Sequence, residues 1–347
     1  MQTAVLVGCG AMADGWLHTI SQTPEIAESL QIVGFVDLDP TLAAAKAAVY
    51  GSQAAYGDDL AAMLDQLQPD MVFDIVIPDA RREVVEIAFA HGCDVLSEKP
   101  LARDLTDARA LLAEAESSGR VHAVIQNRRY LPGIQRARDF LASGAIGQVT
   151  EVHADFFLAP HFGGFREEMA HVLLHDMAIH TFDAARYLAN IIPRNVFCRE
   201  TNPPGSWYRH GASASALFDC ENNVIFTYRG SWCAEGASTS WEAQWRIVGT
   251  GGTLVWNGNH GFLAEIPEQG EGLLRPMREV TVPPSIRANV PEGHAGVIAD
   301  FLAARLEGRA PLTCASDNIH SLAMTVAAIE SAETGRIIPI SIQGDTP

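Results

Sequence analysis

The chain is poor in basic residues and has no long apolar run. Its 24 lysines and arginines face 42 aspartates and glutamates, which gives a formal net charge of −18. So few cations cannot neutralise a phosphate backbone, and the composition argues against a nucleic-acid partner. No run reaches the roughly 18 apolar residues that cross a bilayer, and the N-terminus lacks the basic segment of a secretory signal. The sequence therefore predicts a cytoplasmic protein with no membrane partner.

Cysteine pairs are also missing. The six cysteines are scattered singly, without a C-x-x-C pair, and the H-E-x-x-H motif is absent. In a chain of 347 residues this pattern predicts reduced, mostly buried thiols. His171 and His175 stand four residues apart, a spacing that suits two metal ligands on a helix, but a third ligand would have to come from elsewhere. No metal site is predicted.

Short apolar runs alternate with helical segments over the first third of the chain. The runs that are typical of buried strands lie at residues 3–8, 31–37, 71–77, 94–97 and 121–126. Because the connections between strand and helix are short, the pattern predicts a parallel sheet that is covered by helices on both faces.

This alternation ends near residue 127. Strand-like runs separated by turn-forming residues then lie at residues 149–157, 211–219, 223–232 and 241–249. They predict a mostly antiparallel open sheet, and two helices, over residues 292–307 and 316–334, close the chain. We therefore predict an α/β protein with two domains, a doubly wound parallel sheet over residues 1–125 and an α+β domain over residues 126–347.

A glycine-rich turn, Gly8-Cys9-Gly10-Ala11-Met12-Ala13, joins the first predicted strand to the first helix. In this G-x-G-x-x-A pattern Gly8 permits the tight turn, Gly10 lets the backbone approach a pyrophosphate, and Ala13 lets the helix pack closely on the sheet. The phosphates would meet the free N–H groups and the positive dipole end where Ala11 and Met12 begin the helix. The turn therefore predicts a Rossmann dinucleotide-binding domain.

The end of the second predicted strand bears on the choice of cofactor. Asp37 stands close to the spacing expected of a carboxylate that binds a ribose diol. A carboxylate there would repel a 2′-phosphate, and the next basic residue is Lys46, so the sequence predicts NAD rather than NADP. Asp39 could take the same role, but its place before Pro40 is more typical of a helix N-cap.

Two segments carry residues that suit proton chemistry. Glu98-Lys99-Pro100 follows the fourth predicted strand, at the sheet edge where such folds bind ligands, and Lys99 could stabilise charge that develops on a substrate oxygen. A solvated lysine paired with Glu98 is the other interpretation. The second segment covers residues 171–183. If it is helical, Asp176 and His180 lie on one face and could reach one substrate hydroxyl, and His180 could act as the general acid or base. Asp183 fits either support of that histidine or the helix surface.

Taken in order, these motifs resemble those of the Gfo/Idh/MocA family, the group of glucose–fructose oxidoreductase and inositol dehydrogenase. The resemblance covers nearly the whole chain. It rests on the glycine-rich turn, Glu98-Lys99-Pro100 and Asp176-x-x-x-His180-x-x-Asp183, supported by Pro78-Asp79-Ala80, Gly144-x-x-Gly147 and the segment over residues 331–336.

The resemblance implies an oxidoreductase that uses NAD(P) to oxidise, reversibly, a secondary alcohol of a sugar, polyol or related ring. His180 would take the hydroxyl proton, Lys99 would polarise the oxygen and Asp176 would position it. The implied cofactor contacts are Gly8, Gly10, Ala11, Met12, Ala13, Asp37, Pro78, Glu98, Lys99, Pro100 and Asn127. The implied substrate contacts are Lys99, Tyr130, His171, Asp176 and His180. The family also implies a cis Lys99–Pro100 bond in many members, and a homodimer or homotetramer formed through the C-terminal sheet.

The chain departs from the family pattern before the aspartate, where Ala170-His171 replaces the usual glycines, and at Arg82, where many members have histidine. Arg128 and Arg129 fit either contacts to cofactor and substrate or interdomain salt bridges. Further candidates for the substrate site, each with a structural alternative, are Trp207, Tyr208, Arg209, His210, His153 and His161. Two other functions fit the same fold: a glycoside-cleaving enzyme that recycles bound NAD, and a dinucleotide-sensing regulator without activity.

Overall fold

The computed structural model describes residues 1–51, 53–270, 273–287 and 290–343. They form two compact units. The first unit combines Met1–Tyr130 with Val290–Leu322, and the second combines Leu131–Asn289 with Ala323–Gln343. Residues 290–322 therefore complete the unit that contains the N-terminus.

A six-stranded parallel sheet forms the centre of the first unit. Its strands are β1 (Gln2–Val7), β2 (Leu30–Val36), β3 (Ala55–Gly57), β4 (Met71–Asp74), β5 (Asp94–Ser97) and β6 (His122–Val124). The helices between them are α1 (Ala11–Gln22), α2 (Pro24–Ala27), α3 (Pro40–Tyr50), α4 (Leu60–Leu67), α5 (Pro78–Ala90) and α6 (Leu105–Ser118). The strand order β3-β2-β1-β4-β5-β6 is that of a Rossmann fold, which confirms the predicted parallel sheet.

The helices of this unit differ in whether a side chain caps the N-terminus. The N-caps of α3, α4 and α6 are Asp39, Asp59 and Asp104, and each carboxylate accepts a backbone N–H of the first turn. The predicted N-cap role of Asp39 is thus confirmed. α1 begins after Gly10, which supplies no side-chain cap, so the first N–H groups of this helix can bind another acceptor.

The second unit contains a nine-stranded sheet. Its strands are β7 (Val149–Phe157), β8 (Pro193–Thr201), β9 (Ser213–Cys220), β10 (Ile225–Ser231), β11 (Gln244–Gly249), β12 (Gly252–Trp256), β13 (Phe262–Pro267), β14 (Met277–Val280) and β15 (Ile338–Pro339). The order is β14-β13-β12-β11-β7-β10-β9-β8-β15, and β7 with β10 is the parallel pair among antiparallel neighbours. The predicted mostly antiparallel sheet is therefore confirmed.

Helices cover one face of this sheet and leave the other face exposed. The helices between β6 and β8 are α7 (Pro132–Ala142), α8 (Phe165–Glu168) and α9 (Ile179–Ala189), and a π-helical turn, Leu173–Ala178, leads into α9; α8 has no buried residue. From α9 the buried Phe182 packs edge-to-face on Phe218 and Tyr228 of the sheet, at centroid distances of 4.9 and 5.3 Å. On the opposite face the strands present apolar side chains such as Phe197 and Leu217 to solvent.

Two further helices, α10 (Gly293–Glu307) and α11 (Ala315–Thr334), follow. α10 buries Val297, Ile298 and Phe301 in the core that surrounds β1 and α1. The division between the units falls within α11. None of the helices in the described part of the chain is long and apolar enough to cross a membrane. All six cysteines are free thiols and four are buried, as the sequence predicted.

Candidate active site

The glycine-rich turn leaves open space where a dinucleotide would approach. Gly8 has a φ of +92°, and a Cβ atom there would lie 2.8 Å from the carbonyl carbon of Ile75, so the turn excludes any side chain. A Cβ atom on Gly10 would meet no described atom within 4 Å. Open space at Gly10 and the uncapped N-terminus of α1 are the features that a pyrophosphate requires, and the residues present therefore fit the cofactor.

Asp37 faces this turn from the end of β2. Its Oδ2 accepts the N–H of Cys9 at 2.7 Å, and its Oδ1 accepts the N–H of Asp39 at 3.0 Å. Each carboxylate oxygen can accept a second hydrogen bond, so both remain available to the hydroxyls of a ribose. Burial, reinforced by the charge of Asp37, raises the pKa of the Cys9 thiol to about 12, so the thiol stays protonated in the turn.

Glu98 fixes the turn that carries Lys99. It is 7% exposed; Oε1 accepts Nε1 of Trp16 at 2.9 Å, and Oε2 accepts the backbone N–H of Lys99 at 2.9 Å. Burial alone would raise the pKa of this carboxyl, but the nearby imidazole of His294 and the hydrogen bond from Trp16 outweigh burial and lower the pKa. Glu98 is therefore ionised at neutral pH. The Lys99–Pro100 bond is cis, as the resemblance implied.

His294 and Asn127 extend this network. Nε2 of His294 lies 3.8 Å from Oε1 of Glu98, and Nδ1 lies 3.2 Å from Nδ2 of Asn127. Sequence reasoning did not identify His294, because it follows Glu98 by 196 positions and stands alone at the start of α10. Tyr130, a predicted substrate contact, donates its hydroxyl to Asp300 at 2.7 Å, so its oxygen could contact a substrate only as an acceptor or after breaking that bond.

The buried Arg81 is bonded to the turn that carries Lys99. Nε of Arg81 donates to Oδ2 of Asp74 at 2.6 Å, and the two side chains are 1% and 0% exposed. The guanidinium also donates to the carbonyls of Val76 and Pro100. Sequence reasoning considered Arg82 instead, which is itself exposed and pairs with Glu86 and Asp107. A usable signal was present, because Asp74 interrupts an apolar strand and a buried carboxylate requires a partner.

In the second unit the structure places Asp176 and His180 on one continuous helical segment. Asp176 lies in the π-helical turn and His180 in the first turn of α9. π-helical turns are rare and occur frequently at functional sites. Asp183, with Arg186 at 3.7 Å, is fully buried, so its interpretation as a helix-surface residue is wrong.

Asp176 has a partner that the sequence did not reveal. Nε of Arg166, in the short helix α8, donates to Oδ2 of Asp176 at 2.8 Å. The side chains are 28% and 15% exposed, so the pair is partly shielded from water. The arginine fixes the orientation of the carboxylate and balances its charge.

His171 precedes the π-helical turn in a left-handed conformation, with a φ of +53°. Its Nδ1 lies 2.5 Å from Oε2 of Glu200 and its Nε2 lies 3.1 Å from Oε1 of Glu333. The hydrogen bond to Glu200 is the main cause that raises the pKa of His171, and Glu333 adds to it. A substrate contact through either ring nitrogen would have to replace one of these bonds. No group of three metal-ligating side chains occurs among the described residues.

Several of the other predicted candidates have structural partners. Arg129 pairs with Asp317 and donates to the carbonyl of Leu312. Trp207 stacks on His161 at a centroid distance of 3.7 Å. Nδ1 of His153 lies 2.6 Å from the hydroxyl of Thr227 on the neighbouring strand.

Comparisons with known proteins agree with this architecture. Residues 3–126 match the model of the oxidoreductase family with an NAD-binding Rossmann fold (GFO_IDH_MocA), and residues 134–255 match the GFO/IDH/MocA C-terminal domain. The D-apiose dehydrogenase of Paraburkholderia graminis is 27% identical, with 99% of this chain and 91% of that protein covered.

Two solved structures have the same fold. An oxidoreductase from Agrobacterium radiobacter, in complex with NAD+, L-tartaric acid and magnesium, is 24% identical with a TM-score of 0.83, covering 98% of each chain. A levoglucosan dehydrogenase in complex with NADH and levoglucosan is 20% identical with a TM-score of 0.78, covering 99% of this chain and 100% of that one.

A Rossmann unit with an open dinucleotide turn, followed by a unit with a large open sheet, defines an NAD(P)-dependent oxidoreductase that acts on CH–OH groups. Family models match both parts of the chain. The chain belongs to the Gfo/Idh/MocA family.

Proposed function

We propose that this member of the family is an NAD-dependent dehydrogenase of a sugar or polyol, with Lys99, Asp176 and His180 as its reactive groups. The observation that carries the proposal is the buried Glu98, which holds the Lys99 turn at the carboxyl end of the parallel sheet. The printed names of relatives, among them D-apiose dehydrogenase and levoglucosan dehydrogenase, support a carbohydrate substrate.

Each reactive group has a separate task in the proposed reaction. The ammonium of Lys99 donates to the substrate hydroxyl and stabilises the negative charge that grows on its oxygen. Asp176, held by Arg166, accepts from the substrate and orients it. His180 takes the hydroxyl proton as a general base and returns it in the reverse direction. When bound, the nicotinamide supplies the hydride acceptor.

The proposed cofactor is NAD rather than NADP. Asp37 would accept the ribose hydroxyls, and its carboxylate would repel the dianionic 2′-phosphate of NADP. The two backbone N–H groups that bind Asp37 fix the charge beside the glycine-rich turn. We propose Gly8, Gly10, Ala11, Met12, Ala13, Pro78, Glu98, Lys99, Pro100 and Asn127 as further cofactor contacts, and Tyr130 and His171 remain predicted substrate contacts.

We also propose that the exposed face of the nine-stranded sheet joins copies of this chain into a homodimer or homotetramer. A cross-strand row on this face has apolar Phe197 and Leu217 at one end and apolar Val255 and Leu263 at the other, and its middle positions are Thr227, His153 and Arg246. Phe197, Leu217 and Leu263 are each about two-fifths exposed in the single chain. Apolar side chains in one row favour burial against a second sheet. Sedimentation velocity tests the proposal, and a monomer at micromolar concentration would contradict it.

Absorbance of NADH tests the proposed reaction. The purified protein is incubated with sugars, inositols and their keto forms, with NAD(H) and NADP(H) in parallel. Turnover of one compound class, faster with NAD, is the expected result. No net change in NADH, with cofactor retained through purification, would instead favour the glycoside-cleaving enzyme that recycles NAD. Retained cofactor without turnover of any kind would favour the regulator.

A further inference from the structure

The segment between β7 and the π-helical turn brings aromatic side chains next to Asp176. Arg166, which binds Asp176, lies over the rings of Phe162 and Phe165, at 5.0 and 4.9 Å from their centroids. A guanidinium that stacks on aromatic rings is held in place more firmly than one in water. The proposed substrate-positioning carboxylate and the aromatic rings are therefore connected through one arginine.

Phe162 is supported by two tryptophans. Its ring centroid lies 5.3 Å from that of Trp232 and 6.4 Å from that of Trp241. Trp232 is buried, whereas Phe162 and Trp241 are 44% and 46% exposed. Two large rings that face solvent on a buried aromatic support form an apolar surface, and such surfaces beside polar groups mark ligand sites.

The backbone of this segment is fixed on both sides of Phe162. On the N-terminal side, Trp207 Nε1 and the Tyr208 hydroxyl both donate to the carbonyl of Pro160, at 3.2 and 2.8 Å. On the C-terminal side, the N–H of Arg209 donates to the carbonyl of Glu167 at 2.8 Å. The exposed position of the Phe162 ring is therefore defined by the fold, and the ring is preorganised to receive a ligand.

The chemistry of a cyclic sugar or polyol matches this surface. Its ring has an apolar face of C–H groups and a rim of hydroxyls, so one face can pack on aromatic rings while the rim binds a charged pair. We propose that Phe162 and Trp241 form a ring-stacking subsite for a neutral cyclic sugar or polyol, whose hydroxyls are bound by Arg166 and Asp176. This inference rests on the proposed function.

Charge around the subsite favours a neutral ligand. Asp176 balances the positive charge of Arg166. Nearby, Glu168 pairs with Arg209 and Glu235 lies 3.5 Å from His161, so no arginine among these is left with an unbalanced charge. A sugar acid would therefore gain no net attraction, and we expect it to bind more weakly than the matching neutral ring.

Two substitutions, Phe162→Leu and Trp241→Leu, test the subsite. Tyr50→Leu is the matched control, because it removes an exposed ring from α3 in the first unit. For each variant, kcat and KM are measured with cyclic inositols and pyranoses and with open-chain alditols. Calorimetry then measures binding of each alcohol to the protein saturated with NADH, a complex in which no hydride can be transferred.

Each subsite variant should raise KM and the calorimetric Kd for cyclic ligands about tenfold, which corresponds to the loss of one stacking contact. Trp241→Leu, which leaves the rings beneath Arg166 in place, should leave kcat and the values for alditols nearly unchanged. Equal loss for cyclic and open-chain ligands, or no loss, would overturn the inference. A change in oligomeric mass would show that a second copy covers the rings, and would overturn it as well. Wild-type protein that binds cyclic ligands without turnover would refute the proposed function and leave the subsite standing.

Discussion

Replacing Arg81 by methionine tests whether the buried ion pair stabilises the first unit. Methionine approximates the length of the arginine stem but leaves Asp74 as a carboxylate with 0% exposure and no cation beside it. The carbonyls of Val76 and Pro100 also lose their donor. We expect Arg81→Met to lower the free energy of unfolding of this unit.

The size of the effect follows from burial. Removal of one partner from a buried ion pair costs about 3–5 kcal/mol, since the remaining charge cannot reach water. Asp74→Asn in the Arg81→Met background removes that charge and retains an oxygen for the N–H of Val76, which Oδ1 accepts at 3.1 Å. The double variant should therefore be more stable than Arg81→Met alone, although two carbonyls remain without their donor.

Urea unfolding followed by hydrogen exchange and mass spectrometry is a suitable assay, because peptides from residues 71–100 report on this unit separately. Arg82→Met is the matched control. This neighbouring arginine is exposed and its ion pairs are screened by solvent, so the unfolding midpoint should hardly change. An equal effect of Arg81→Met and Arg82→Met would refute the reasoning. So would a double variant no more stable than Arg81→Met.

Three further predictions concern the proposed site. His180→Ala should lower turnover about 10²–10⁴-fold with NAD binding unchanged, and an unaffected rate would remove His180 from the mechanism. Asp37→Ser should shift the NAD-to-NADP ratio of kcat/KM toward NADP by about tenfold or more, whereas Asp39→Asn should not; equal shifts would contradict the role of Asp37. The pKa of His171 is higher in the folded protein than in a free histidine. Its charged pair with Glu200 therefore contributes its full stabilisation at pH values below the ordinary histidine pKa. That stabilisation is lost as the pH rises through the pKa that His171 has in the folded protein. The stability difference between wild type and His171→Gln, measured by urea titration, should shrink with rising pH, and a constant or growing difference would contradict it.

Local sequence signals were sufficient for the parts of the fold that depend on neighbouring residues. The glycine-rich turn, the N-cap at Asp39 and the alternating strand β7 are each determined within a few residues, and the structure has all three. The division into two sheets followed from the change of period near residue 127, because periodicity reports which side chains face a core.

Contacts between distant parts of the chain could not be predicted in the same way. His294 reaches Glu98 only because α10 returns to the first unit, and no local pattern encodes that return. The pair of Arg166 with Asp176 depends on the path of an irregular segment. The π-helical turn was also not anticipated, since the i,i+4 pattern of Asp176 and His180 suits an α-helix equally well.

The hydrogen bond between Trp16 and Glu98 gives the protein an intrinsic optical reporter. Of the six tryptophans, Trp16 alone precedes residue 207, and its indole N–H is bound to the carboxylate beside Lys99. In a variant whose other five tryptophans are phenylalanine, emission would come from this indole only. Its intensity and wavelength would then follow the electric field at Glu98, a proposed cofactor contact, and energy transfer to NADH would time the arrival of cofactor without any substrate.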